Sequence, residues 1–301
     1  MSNFRIGYFA DGPWSHEAFK LLQNDETVEI SFIVPRVNTH DNTLKNFAEK
    51  YDIDYLFPVR VNSNEFRAKA KTYNCDLFVS MSFNQIFKEQ TITIPRLDTI
   101  NCHAGRLPFY RGRNVLNWAL INDEDEFGIT VHFMDEGIDT GDIILQKTYP
   151  INDNDNYGSL LETAYKGCAE LLYRAIKKIQ DGDYRRIKQE TIHSVGFYCG
   201  KRKAGDEIID WDNCSRDIFN FVRALATPGP KATTFYEDQV VKINRVELIE
   251  NAPNYKNIPG QLLKKTNKGF FVKTKDSFIH IVEIETEAEL QVGGRFENGK
   301  L

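Results

Sequence analysis

Residues 4–34, FRIGYFADGPWSHEAFKLLQNDETVEISFIV, decide the fold. Residues 4–10 are a short apolar run that stops at Asp11-Gly12-Pro13, a strong chain breaker. Residues 15–22 then take helical spacing, with Ala18, Leu21 and Leu22 on one face. Residues 28–34 read as a second strand, ended by Pro35. The alternation continues with amphipathic helix patterns over 43–50 and 66–73 and a buried strand over 76–80. Strands alternating with helices from the first residues imply the α/β class, a mostly parallel sheet with helices on both faces. In such sheets ligands bind beyond the carboxyl ends of the strands.

Further strands are expected over 98–103, 128–134 and 142–147, and a long helix over 157–179 that ends at Asp181-Gly182-Asp183. That helix closes a first domain, residues 1–183. Residues 184–204 read as a connector, with breakers at Gly196 and Gly200. Beyond it, a short helix over 215–226 stops at Thr227-Pro228-Gly229-Pro230. β-Branched and aromatic runs then follow over 232–236, 239–248, 269–273 and 278–283. Turn residues separate them closely, which predicts a small, mainly β second domain over 205–301.

The chain has 301 residues, 41% hydrophobic and 27% charged, enough for a sizeable core in two domains. Its formal charge is −5. Lys and Arg number 25 against 28 Asp and Glu up to residue 204, and 13 against 15 after it. Neither part is basic, which argues against a grip on a long polynucleotide. Five scattered cysteines without a CxxC pair argue against a disulfide framework and a structural zinc site, and fit a reducing cytoplasm. The N-terminal sequence lacks a signal-peptide pattern, and no apolar run approaches the ~20 residues that span a bilayer.

Chemistry-bearing residues concentrate in residues 101–141, NCHAGRLPFYRGRNVLNWALINDEDEFGITVHFMDEGIDTG. Asn101 and His103 are two apart on a predicted strand, so both side chains share one face at its carboxyl end. Cys102 points the other way, into the core. Asp139 lies between Gly137 and Gly141 in the turn after the next strand. A neutral imidazole can accept a proton at pH 7, a carboxylate can orient it, and an amide can donate to an oxygen that becomes negative. The three together suit acyl transfer to a nucleophile supplied by the substrate. Singly, His103 also fits a structural histidine and Asp139 a turn residue. His132 alternates into the sheet, as core or as support behind the site.

This string resembles the formyltransferase family that uses 10-formyltetrahydrofolate. The family pattern N-x-H…LP-x-(Y/W)-(R/K)-G…G-(V/I)-T…D-(T/A)-G is met almost throughout. The resemblance implies a Rossmann-like catalytic domain in which Asn101 holds the formyl oxygen, His103 is the general acid or base and Asp139 its partner. It implies that the folate co-substrate is bound by the loop Met81, Ser82, Phe83, Asn84, Gln85, Ile86, Phe87, and by the turn that carries Asp135 and Gly137. No metal is implied. Residues 198–236, YCGKRKAGDEIIDWDNCSRDIFNFVRALATPGPKATTFY, are similar to the C-terminal module of methionyl-tRNA and sugar-nucleotide formyltransferases.

The family divides by acceptor: initiator methionyl-tRNA, glycinamide ribonucleotide, or a nucleotide-linked amino sugar. The tRNA enzymes carry a basic, glycine-rich insertion after the second strand, where this chain has PRVNTHDNTLKNFAEK. Their S-L-L-P is here Gly105-Arg106-Leu107-Pro108. These departures, with the acidic C-terminal part, favour a UDP- or dTDP-linked amino-deoxyhexose, the resemblance being strongest to enzymes that formylate UDP-4-amino-4-deoxy-arabinose. Methionyl-tRNA is the alternative acceptor. Arg106, Tyr110, Arg111 and Arg113, in the loop after the catalytic strand, are the expected substrate contacts, since arginine suits phosphate geometry. Arg111 also fits a structural role. Trp14, in the first strand–helix turn, can stack on a base or sugar or pack inward. A cytoplasmic enzyme is expected; the sequence leaves the oligomeric state open, and the resemblance to sugar-modifying members, which are often dimers, points to a homodimer.

Overall fold

The computed structural model describes residues 3–57 and 59–299. The chain divides into two compact units, one of residues 1–113, 127–149 and 162–199, the other of residues 114–126, 150–161 and 200–301.

The first unit opens with β1 (Phe4–Ala10), α1 (Pro13–Gln23), β2 (Val28–Val34), α2 (Thr43–Tyr51), β3 (Asp54–Tyr55), α3 (Asn64–Thr72) and β4 (Leu77–Met81). Then come α4 (Glu89–Ile92), β5 (Thr99–His103) and β6 (Arg111–Gly112). After α5 (Val115–Ile121), which groups with the second unit, the sheet resumes with β7 (Glu126–Phe133) and β8 (Ile143–Pro150), followed by α6 (Tyr157–Gln180) and β9 (Tyr198–Cys199). Seven strands pair in the order β3-β2-β1-β4-β5-β7-β8. β3, β2, β1, β4 and β5 run parallel, and β7 runs antiparallel to β5. The order reverses between β1 and β4, which opens a crevice at the carboxyl ends of those strands. The expected α/β class and mostly parallel sheet are both present.

Local sequence explains the elements. Gly12, at φ 68, makes the turn out of β1, and Pro13 starts α1 where its missing N–H costs nothing. Ser63 caps α3 by accepting from Phe66 N. One sheet face buries a phenylalanine cluster. The ring of Phe9 lies 4.9–5.9 Å from those of Phe32, Phe66, Phe78, Phe83 and Phe87. Losing a ring of this kind costs about 3–5 kcal/mol. Phe83 and Phe87 thereby fasten the loop after β4 to the core.

The second unit contains α7 (Ser215–Leu225) and the strands β10 (Ala232–Tyr236), β11 (Gln239–Glu247), β12 (Leu262–Lys265), β13 (Phe270–Lys273) and β14 (Phe278–Glu285). They form an antiparallel sheet in the order β10-β11-β14-β13-β12. The buried face of α7, with Ile218, Val222 and Leu225, joins Val241, Ile243, Leu262 and Trp211 in one core. Trp211 stacks on Phe296 at 5.5 Å and donates to Thr234 Oγ1. Strand β12 and helix α5 escape the sequence reading. Leu262–Lys265 carries two lysines, and seven residues give too short a window for helical periodicity.

Candidate active site

The site is built at the carboxyl end of β5, where β5 pairs with β7 beside two loops. In the β5–β7 register Asn101 faces His132, and His103 faces Thr130. Thr130 Oγ1 donates to Gly105 O at 2.7 Å, which ties down the loop that leaves β5. Gly105 has to be glycine: a Cβ there would lie 2.4 Å from His103 Nε2 and 2.3 Å from Tyr110 O.

Asn101, His103 and Asp139 come together as their spacing predicts, and His132 joins them. His103 Nδ1 is 3.6 Å from Asp139 Oδ2, and His132 Nε2 is 3.5 Å from Asp139 Oδ1. The Asn101 amide nitrogen is 3.3 Å from His132 Nε2. Gly112 N donates to Asp139 Oδ2 at 2.9 Å. Burial alone would raise the Asp139 carboxyl. The charge of His103, the hydrogen bond and charge of His132 and the Gly112 N–H outweigh burial, and hold it well below its ordinary value. Asp139 is therefore an anion throughout the neutral range.

Main-chain acceptors assign the ring protons. His103 Nε2 is 2.7 Å from Tyr110 O, and a carbonyl only accepts, so Nε2 carries hydrogen. In the neutral ring the lone pair is then on Nδ1, and a proton gained there lies against Asp139. His132 Nδ1 donates to Phe133 O at 2.7 Å by the same logic. Its Nε2 accepts from Asn101 when neutral and donates to Asp139 when charged. Cys102 lies on the opposite side of β5, buried, with Sγ 3.6 Å from Cys168 O. Burial pushes the thiols of Cys75 and Cys199 up to about 11, away from the nucleophilic thiolate form. Among the described residues no group of three His, Cys, Asp or Glu could hold a metal ion. No described helix is long and apolar enough to cross a membrane.

In the loop after β4, side chains are spent on anchoring. Ser82, at φ 53, accepts from Arg36 through both its carbonyl and its hydroxyl, at 2.6 and 2.8 Å. Gln85 donates to Val59 O and accepts from Val61 N, and the Asn84 amide reaches Asn38. Met81 is buried at the end of β4, whereas Ile86 is 57% exposed. In the turn after β7, Asp135 Oδ1 accepts from Gly137 N and Thr140 Oγ1, and Ile138 is 52% exposed. The two loops are neighbours, since Glu89 N donates to Glu136 Oε1 and Lys88 pairs with Glu136.

The expected substrate residues divide. Arg106 and Arg113 are exposed. Arg111 is 8% exposed and points inward, donating from Nε and Nη2 to Gln189 Oε1 and from Nη1 to Val195 O. The Tyr110 ring packs edge-on against Phe197 at 4.8 Å, and Trp14 packs edge-on against Tyr165 at 4.7 Å. Arg111, Tyr110 and Trp14 thus spend these contacts on the protein. Gln189 escapes the sequence reading because residues 185–199 look like a connector. They instead pack on the first unit, with β9 paired to β6 and Ile187 bridged to Ile143.

A doubly wound sheet that brings an amide, two imidazoles and a buried carboxylate together beside the carboxyl end of β5 has the groups that proton-coupled group transfer needs. Residues 23–176 match the formyl transferase family model, and residues 201–299 match the formyl transferase C-terminal domain model. The chain belongs to the formyl transferase family. It is 33% identical over 244 residues to a methionyl-tRNA formyltransferase of Pelotomaculum thermopropionicum, covering 81% of this chain and 76% of the relative. Its fold is shared with the sugar 3N-formyl transferase WlaRD, whose crystals contain dTDP and 5-N-formyl-THF, at a TM-score of 0.72 and 21% identity over 96% of this chain and 100% of that one. It is shared too with an N-formyltransferase from Helicobacter canadensis in complex with folinic acid and dTDP-3-aminofucose, at 0.70 and 22% over 94% and 100%.

Proposed function

We propose that this enzyme moves a formyl group from 10-formyltetrahydrofolate to the amine of a nucleotide-linked amino sugar. The Asn101–His103–Asp139 geometry carries the transfer. The amine attacks the formyl carbon, and the amide of Asn101 donates to the oxygen as it becomes negative. His103 takes the amine proton at Nδ1, where Asp139 stabilises the charged ring. The intermediate then collapses, the carbon–N10 bond breaks, and the proton passes to N10. The exposed Ile86 and Ile138, on neighbouring loops with anchored backbones, suit a flat pterin ring.

For the acceptor, the supporting observation is the loop between β2 and α2. Residues 35–42 hold one arginine, and Arg36 turns inward to Ser82 and lies 4.0 Å from Asp11. It does not offer the basic arm expected for a tRNA. WlaRD and the Helicobacter canadensis enzyme, crystallised with dTDP and a dTDP-sugar, match this chain over their whole length. In this reading the exposed Arg106 and Arg113 meet the diphosphate, residues 1–183 form the catalytic domain, and residues 184–204, packed on it as far as residue 199, lead to a C-terminal domain over 205–301.

Incubation with 10-formyltetrahydrofolate and either UDP- and dTDP-amino-deoxyhexoses or charged initiator tRNA tests this. Tetrahydrofolate release with an amino sugar is expected; release with the tRNA alone overturns the acceptor. His103→Asn and Asn101→Ala should each fold and lose at least about a hundredfold in kcat. Near-full activity in either removes that residue from the mechanism.

A further inference from the structure

We infer that Gln189 is a positioning residue for the His103–Asp139 pair, because its single buried amide joins the two loops that bracket that pair. The inference rests on the formyl-transfer reading above. Gln189 opens a one-turn helix (Gln189–Thr191) and is 4% exposed. Its Oε1 accepts from Arg111 Nε at 3.0 Å and Nη2 at 2.7 Å. Its Nε2 donates to Asp139 O and Gly141 O, both at 2.8 Å. A guanidinium only donates and a carbonyl only accepts, so the amide has one permitted orientation, and all four of its hydrogen-bonding positions are filled.

Each side of that amide leads to the site. On one side, Arg111 stands between Tyr110, whose carbonyl holds His103 Nε2, and Gly112, whose N–H holds Asp139 Oδ2. On the other side, Asp139 has φ 54, a left-handed conformation that residues other than glycine seldom adopt. The carbonyl of this strained residue is one of the two that Gln189 grips. At the other, Gly141 sits so close to Phe133 O that a Cβ would approach it to 1.9 Å. The support is itself fixed. Ile187 exchanges both main-chain hydrogen bonds with Ile143, and the Arg111 guanidinium lies 5.3 Å from the Tyr198 ring centre. One side chain thus sets the backbone that holds the imidazole and the backbone that presents its carboxylate. A misplacement of about 1 Å at such a pair is worth up to about a hundredfold in rate.

Two substitutions separate this role from simple packing. Gln189→Glu keeps an oxygen toward Arg111 but sets another against the two carbonyls. Gln189→Met fills similar volume and bonds to neither side. With the full chain and the acceptor the wild type uses, kcat should fall about 10- to 100-fold in both, with KM for donor and acceptor within about twofold. A folded variant with wild-type kcat overturns the inference, as does a loss of activity that only follows the folded fraction. If Gln189→Met does not fold, Gln189→Glu, which retains the Arg111 contact, decides through kcat against KM. His103→Asn is assayed alongside. Its full activity would sink the underlying reading, whereas an inactive His103→Asn beside unaffected Gln189 variants sinks only this inference.

Discussion

At His103 the two ring nitrogens face different acceptors, and this asymmetry gives the ring a direction. Nε2–H is spent on Tyr110 O, so proton traffic runs through Nδ1 beside Asp139. Asp139 is the member whose ionisation bears on stability. Its folded carboxyl is held well below its ordinary value of 3.8. A depressed carboxyl contributes stability that is fully present above the unfolded value and is lost as pH falls through the folded one. Asp139→Asn should therefore cost about 2 kcal/mol above pH 5, and the difference from wild type should shrink steadily below pH 4. Urea titrations at pH 7 and pH 3 measure both quantities. An equal cost at the two values would mean that shape, not charge, is what Asp139 supplies. The same substitution should lower kcat more than it raises either KM, because Asp139 touches His103 and not the expected substrates.

Among the elements, the loop after β4 shows how side chains named for binding serve instead to shape a backbone. Both ends of the Gln85 amide are engaged by the segment around Val59 and Val61, and Phe83 and Phe87 anchor in the phenylalanine cluster. Gln85→Ala should leave kcat near wild type and raise the KM for 10-formyltetrahydrofolate by up to about tenfold, the equivalent of one or two lost hydrogen bonds. Steady-state kinetics with the donor varied checks this; an unchanged donor KM would detach the loop from folate. The long periodic elements were legible in the sequence because burial imposes their pattern: β2 runs over Val28–Val34 as its apolar run predicts, and α6 starts at Tyr157 as its spacing predicts. Asn101 and His103 were legible because period-2 alternation and a strand end fix their direction. Gln189, β6 and β9 were not, since two-residue strands and a half-exposed segment leave no periodicity. What orders residues 185–199 is a set of hydrogen bonds to Arg111 and Ile143 some 45 to 80 positions away. The inward turn of Arg111 is hidden for the same reason, as its partner Gln189 lies 78 residues along the chain.

At the scale of the whole molecule, charge gives a measurable distinction between acceptors. The chain carries −5, and its residues after 204 are also slightly acidic, with 13 Lys and Arg against 15 Asp and Glu. A polyanion held over several phosphates releases counterions on binding, so its apparent affinity falls by orders of magnitude between 50 and 200 mM salt. A nucleoside diphosphate sugar offers two phosphates, and the same relation then allows a change of about tenfold or less. The acceptor KM measured at these two salt concentrations therefore reports how many phosphates the enzyme holds, independently of which sugar is supplied. The expected result with an amino-sugar nucleotide is a shallow dependence that Arg113→Ala makes shallower still. Should charged initiator tRNA be formylated with a KM that rises a hundredfold or more over that range, a field strong enough for tRNA would exist on an acidic protein. It would then have to come from a local cluster of Lys and Arg and not from net charge.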